Sequence, residues 1–101
     1  MAQNKVYSML GLATKAGKTV SGEFSTEKAI KDGKAAMVIV AEDASDNTKK
    51  HFSDMCSYRH IPYYEYGNKD TLGHAIGKEM RVSLAVVDKN FSGSIRKLFE
   101  E

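Results

Sequence analysis

The residues with the clearest chemical potential lie between Ser21 and Asp43, in the run SGEFSTEKAIKDGKAAMVIVAED. Gly22 can take backbone angles closed to other residues and lets a partner approach the main chain closely. It stands where a short amphipathic helix begins. Ala29, Ile30 and Gly33 share one face of that helix, while Lys28 and Lys31 point elsewhere. A helix N-terminus beside a glycine offers free N–H groups and the positive end of a dipole. With lysines within a turn or so, it is a physical recipe for holding phosphate.

A second segment has matching chemistry. Lys78, Glu79, Met80, Arg81 and Val82 precede the last apolar strand and follow Gly73 and Gly77. If both segments lie at one end of the fold, they form a concave basic rim with helix amides, exposed apolar atoms and glycine-permitted close approach. RNA bends present tightly spaced phosphates and unstacked bases, which such a surface complements.

Other constellations point toward catalysis. Gly11, Gly17, Lys18 and Thr19 look like a phosphate-binding loop, but five residues separate the glycines where that loop needs four. A helix C-terminus with Lys18 near its carbonyls is the preferred reading. Glu42, Asp43 and Asp88 follow strands, where α/β sheets often bind ligands and where paired carboxylates can hold magnesium. Alternatively Asp43 and Asp88 cap the next helices or tie down loops. His51, His60, His74 and Cys56 lack any HxxxH or CxxC spacing, so no metal or cofactor is expected. Tyr58, Tyr63, Tyr64 and Tyr66 offer base-stacking surfaces, although alternating strand tyrosines more commonly pack.

The elements that must position these residues alternate along the chain. Val6, Met9, Leu10 and Ala13 recur at helical spacing up to Gly17, and Thr19 to Ser21 suits a very short strand. Ala36 to Ala41 is apolar throughout, as in a strand covered on both faces. Ser45 or Asp46 caps a third helix that Pro62 cannot extend, and Tyr63 to Tyr66 reads as a strand. Asp70 or Thr71 opens a short helix, Ser83 to Val87 is another buried strand, and Phe91 to Phe99 a closing helix. The pattern predicts one α/β domain over residues 1–101, a three-layer α/β/α sandwich around a four-stranded, mostly parallel, mixed sheet.

Composition sets the outer limits. The 101 residues suit one hydrophobic core, and 42% apolar with 28% charged residues is ordinary for a soluble globular protein. Fifteen Lys and Arg against thirteen acids leave a net charge of +2, so nucleic-acid binding must come from local clustering. No apolar run approaches the roughly 18 residues of a membrane span. The N-terminus has no uninterrupted apolar core of a secretory signal, and a lone Cys56 suits a reducing cytoplasm.

The run Gly22, Lys28-Ala29-Ile30, Gly33-Lys34-Ala35 and Met37 to Asp43 resembles the kink-turn-binding ribosomal protein superfamily of the L7Ae and L30e type. A second match is Leu72-Gly73, Ala75 and Gly77-Lys78, followed by the strand Val82 to Asp88. The LGLATKAGKTVSGE, EDAS, IPY and LGHAIGKE segments are similar to the bacterial YlxQ-like branch. The resemblance implies an α/β/α sandwich that binds structured RNA and works with ribosomes or ribonucleoproteins. Members usually carry an Asn-Glu pair after the glycine, which reads tandem sheared G·A pairs. Phe24 and Ser25 stand at those positions here, with the lysine kept as Lys28 and Glu23 and Glu27 close by. The loop that meets a bulged nucleotide corresponds to Lys78 to Val82, one residue shorter than the archaeal pattern.

These readings lead to a non-enzymatic, cytoplasmic, monomeric RNA-binding protein without cofactor. Its partner is structured RNA, ribosomal or kink-turn-like, with the ribosome as a further candidate. Lys18, Lys28 and Lys31 neutralise phosphates, the helix start at Gly22 donates amides, and Met80 or Val82 packs on an extruded base. Glu23, Phe24, Ser25, Lys78 and Arg81 complete the expected site. One alternative is a protein–protein adaptor that keeps the fold and uses an exposed Phe24 as a hot spot. Another is a small magnesium-dependent enzyme built on Asp43 and Asp88.

Overall fold

A computed structural model describes residues 2–100, with side chains from Lys5 to Glu100. The elements are α1 (Ala2–Lys15), β1 (Thr19–Ser21), α2 (Glu23–Lys31), β2 (Met37–Val40), α3 (Asp46–Tyr58), β3 (Tyr63–Glu65), α4 (Lys69–Ala75), β4 (Ser83–Val86) and α5 (Lys89–Glu100). Every element expected from sequence is present. The capping residue of α4 is Asn68, which forms a reciprocal capping box with Thr71, where Asp70 or Thr71 was expected to open the helix.

The four strands form one mixed sheet in the order β1-β4-β2-β3. β2 pairs with β3 in parallel (Val38 opposite Tyr63), whereas β4 runs antiparallel to both β1 and β2 (Ala85 opposite Val20 and Val38). Three of the four strands therefore run in one direction, as expected of a mostly parallel mixed sheet, and β4 alone is reversed. The cause is the connection after β3. α4 runs only seven residues before the turn at Gly77, and the chain doubles back until the Arg81 N–H donates to the Lys69 carbonyl at 3.1 Å. This excursion ends where it began, so β4 enters the sheet from the end at which β3 leaves it.

Strand periodicity divides the core in two. Met37, Ile39, Leu84 and Val86 face Val6 and Leu10 of α1, Leu72 of α4 and Ile95 of α5. Val38, Val40 and Ala85 face Ala29 and Ile30 of α2 and Phe52 and Cys56 of α3. β2 and β4 are buried along their whole length between these layers, which explains their largely apolar sequence, and the one polar residue, Ser83, donates to Thr26 Oγ1 at 3.3 Å. The tyrosines of β3 and Tyr66 just after it belong to the packing. Tyr64 stacks on Phe99 at 4.5 Å, Tyr66 meets Tyr7 and Phe99, and the Tyr63 hydroxyl donates to Glu65 at 2.9 Å. Tyr58 is exposed. Among the described residues no helix is long and apolar enough to cross a membrane.

Four helices end in one motif, in which the two backbone N–H groups beyond the cap turn back onto the last-turn carbonyls. Gly17, Gly33 and Gly77 hold the left-handed position in α1, α2 and α4. In α3 that position is His60, at φ 58°. A histidine tolerates this conformation better than most side chains but less well than glycine.

Gly73 is the tightest point of the α4 excursion, because a Cβ there would lie 1.5 Å from the Glu79 carbonyl oxygen. Gly73→Ala should therefore destabilise the protein by about 3 kcal/mol or more, measured by urea unfolding. A loss under about 1 kcal/mol would show that the excursion yields easily.

Candidate nucleic-acid interface

Because β4 is reversed, the carboxyl ends of β1, β2 and β3 share one end of the sheet with the amino end of β4. Ser21 and Gly22 therefore lie beside Arg81, Val82 and Ser83. The Gly22 N–H donates to the Ser83 carbonyl at 3.0 Å. Arg81 Nε donates to Ser21 Oγ at 3.1 Å, across sixty residues of sequence, and Nη1 donates to the Met80 carbonyl at 2.9 Å. These segments line one cleft of about 330 Å³, closed on its inner side by Thr48 and Phe52 of α3.

α2 opens into this cleft. Its N-cap is Gly22 at φ 93° and ψ 159°, a conformation essentially reserved for glycine. No side chain caps the helix, so the N–H groups of Glu23, Phe24 and Ser25 have no intrahelical acceptor and carry the positive end of the dipole. Glu23 and Arg81 are the charged side chains that line the cleft, one of each sign. Binding here rests on directed donors more than on net charge.

The flanking residues differ in availability. Phe24 is 80% exposed and Met80 54%, so both can meet a partner. Met80 also borders a neighbouring apolar cleft of about 600 Å³, lined by Tyr7, His74, Ala75, Lys78 and Glu79 among others. Val82 is half-buried against the core cluster of α2 and α3 and is less free to pack on a base. Ser25 is half-buried in the first turn.

The expected lysines do not all converge. Lys28 is in the second turn of α2 and reaches Asp32 at 3.0 Å. Lys31 lies in the last turn, about 13 Å along the helix from Gly22, and pairs with Glu27 at 3.8 Å. Lys18 precedes β1, where its carbonyl accepts from the Val87 N–H at the far end of the sheet. The structure thus separates Lys18 and Lys31 from the Gly22 cleft, since a strand and a helix that leave the same turn carry their other ends away from it.

The catalytic alternatives lose their geometry. Gly11 lies inside α1 and Gly17 ends it, so no strand-to-helix phosphate loop exists there. Asp43 Oδ1 accepts from the Lys69 N–H at 3.0 Å and Asp88 Oδ2 from the Phe91 N–H at 2.8 Å. With β4 reversed, these carboxylates occupy opposite ends of the sheet and cannot share a magnesium ion. Among the described residues no three His, Cys, Asp or Glu side chains converge as a metal site. Burial pushes the Cys56 thiol up to about 11, which keeps it protonated and unsuited to nucleophilic attack.

Sequence reasoning missed Thr48 and Phe52. Their signal was their i, i+4 spacing just after the Ser45 cap, which turns both toward the sheet.

The family-wide pattern of the ribosomal protein L7Ae/L30e/S12e/Gadd45 family matches residues 4–95. The chain belongs to that family. It is 42% identical over 94 residues to the RNA-binding protein YlxQ of Bacillus subtilis (strain 168), covering 93% of this chain and 94% of that one. It is 38% identical over 98 residues to the RNA-binding protein YlxQ of Enterococcus faecium, covering 97% and 94% respectively. A solved Bacillus halodurans protein of unknown function superimposes with a TM-score of 0.93 at 40% identity, over 96% of this chain and 98% of that one. The Giardia lamblia 15.5kD RNA binding protein shares the fold, with a TM-score of 0.82 at 19% identity over 98% and 85% of the two chains.

A Cβ on Gly22 would meet no atom within 4 Å, so Gly22→Ala isolates the cost of the backbone conformation. The expected loss of stability is about 1–3 kcal/mol, measured by thermal or urea unfolding. An unchanged midpoint would mean that the α2 entry relaxes freely.

Proposed function

We propose that this protein is a non-enzymatic RNA-binding domain that holds a bent or looped RNA at the cleft where α2 opens. The observation that carries this reading is the junction of the uncapped α2 N-terminus with the Met80–Val82 segment. The first-turn amides of Glu23, Phe24 and Ser25 donate to phosphate or base-edge oxygens. Ser21 and the Met80 carbonyl hold Arg81, so its guanidinium is oriented before RNA arrives. Met80 supplies an apolar surface for an extruded base. Lys28 exchanges Asp32 for phosphate, at little cost because an exposed pair of this kind contributes about 0–1 kcal/mol.

Family membership and two extensive relatives called RNA-binding proteins support the reading. A kink-turn-like RNA, ribosomal or ribonucleoprotein-associated, is the proposed target. The Phe24 ring cannot hydrogen-bond a base edge, so recognition falls to the main-chain amides and the Ser25 hydroxyl. The protein acts as a monomer in a reducing cytoplasm, which its single, buried cysteine suits.

The test is binding to a standard kink-turn RNA, and to the same RNA with its sheared G·A pairs replaced, across a salt series. Arg81→Ala should weaken binding by about 1–3 kcal/mol, and Lys28→Ala should lower the salt slope by about one. Unchanged affinity and slope in both variants would remove the cleft from the RNA site. The 80% exposure of Phe24 favours one other reading, a protein-docking contact. Protein partners that survive nuclease treatment and are lost with Phe24→Ala would support it.

A further inference from the structure

A cluster of basic side chains lies at the end of the sheet opposite the Gly22 cleft. A larger cleft of about 790 Å³ opens there between the end of α2, the α3–β3 turn and the first turns of α5. Lys31, Arg59, His60, Lys89 and Arg96 line it, and among the described residues no carboxylate does. Among the described residues, Lys31 is the only one of these five with an ion pair, its long contact to Glu27. Arg96 Nε reaches only the Tyr64 hydroxyl, at 3.4 Å. Two acids at this end have other partners: Asp32 pairs with Lys28, and Asp88 accepts from the Phe91 amide.

Fold stability does not account for this cluster. α2 and α3 end here, and cations near their last carbonyls would be favourable. Those carbonyls already accept backbone N–H groups, as Ile30 does from Gly33 and Cys56 from Ile61. α5 begins here, capped by the Asp88 carboxylate, which accepts from the Phe91 N–H. Its first residue is Lys89 and its first turn holds no acid, so a cation stands beside that cap where helix starts favour carboxylates. His60 breaks a second local rule by holding a left-handed position that glycine fills in three other helices. Two such departures at the rim of one cleft point to a ligand.

The walls choose among anions. Gly33, Ala35, Ala36 and Gly93 make a floor of small residues that a sugar-phosphate chain can approach. Among the described residues no Phe, Tyr or Trp lines the cleft itself, and the neighbouring exposed Tyr58 ring is met by the Arg59 guanidinium at 5.5 Å, so phosphate contacts dominate over base stacking. Lys18 and Lys34 lie at the same end and extend the positive surface. We propose that this cleft holds a second stretch of RNA through its phosphodiester backbone, so that the protein bridges two RNA segments across its sheet. The proposal rests on the RNA-binding reading. It separates the two contacts by more than the roughly 13 Å of β2, within a body measuring 31 × 26 × 25 Å.

The test uses the full chain with two probes, a mixed-sequence RNA duplex without a kink and the kink-turn RNA. The unaltered chain should bind the duplex with strong salt dependence. The triple variant Arg59→Ala, Lys89→Ala, Arg96→Ala should lose about tenfold or more in duplex affinity, and its salt slope should fall by about two to three. Arg59→Ala alone should lower the slope by about one. The charge-keeping triple Arg59→Lys, Lys89→Arg, Arg96→Lys should retain duplex binding, which separates lost charge from lost structure. Kink-turn binding without duplex binding, or duplex binding that the alanine variants leave unchanged, would overturn the second contact alone. Absence of binding to both probes would overturn the RNA reading together with it.

Discussion

The closure of the α4 excursion is the constraint on which the rest depends. The Arg81 N–H returns to the Lys69 carbonyl, and the absent side chain of Gly73 lets the Glu79 carbonyl pass. This forces β4 into the sheet from the end where β3 leaves it. One reversal then settles what shares an end with what. It seats Arg81 on Ser21 and Met80 beside the start of α2, and it sends Asp88 away from Asp43. A parallel β4 would have delivered the Met80–Val82 segment to the wrong end and left the α2 amides without a facing wall.

The two ends of the sheet have different electrostatic characters. At the Gly22 end the charged lining of the cleft balances, and directed donors (helix amides and an anchored guanidinium) set the chemistry. At the other end five basic side chains line a wide cleft with small residues on its floor. A net charge of +2 conceals this division, because the carboxylates are distributed unevenly. Directed donors suit recognition of a particular shape, whereas a field of cations suits any phosphate backbone. Both properties fit into a small domain because the sheet holds its ends apart.

Much of the fold was legible in the sequence. The apolar run Met37–Val40 and the nearly apolar Ser83–Val86 identified the central strands, and Gly17 marked the end of α1. Strand direction was not legible. It depends on the Arg81–Lys69 hydrogen bond, which leaves no periodic trace. The same gap misplaced Lys18 and Lys31, whose nearness to Gly22 in sequence is undone by a strand and a helix leaving one turn in different directions. Gly22, Arg81 and Met80 do line one cleft, because each stands at the edge of an element that the sequence marks. Thr48 and Phe52 reach the cleft only through the packing of α3. The basic cleft was the least legible feature, since its lining residues come from three separated segments and His60 stands where glycine would be the usual residue.

The most direct test of the α2 cleft as the RNA site is amide chemical-shift mapping of the isotopically labelled chain during titration with the kink-turn RNA. The first-turn amides Glu23, Phe24 and Ser25, with Thr48, Arg81 and Val82, should shift early and most. RNA binding that leaves those amides unmoved and perturbs another surface would contradict the assignment.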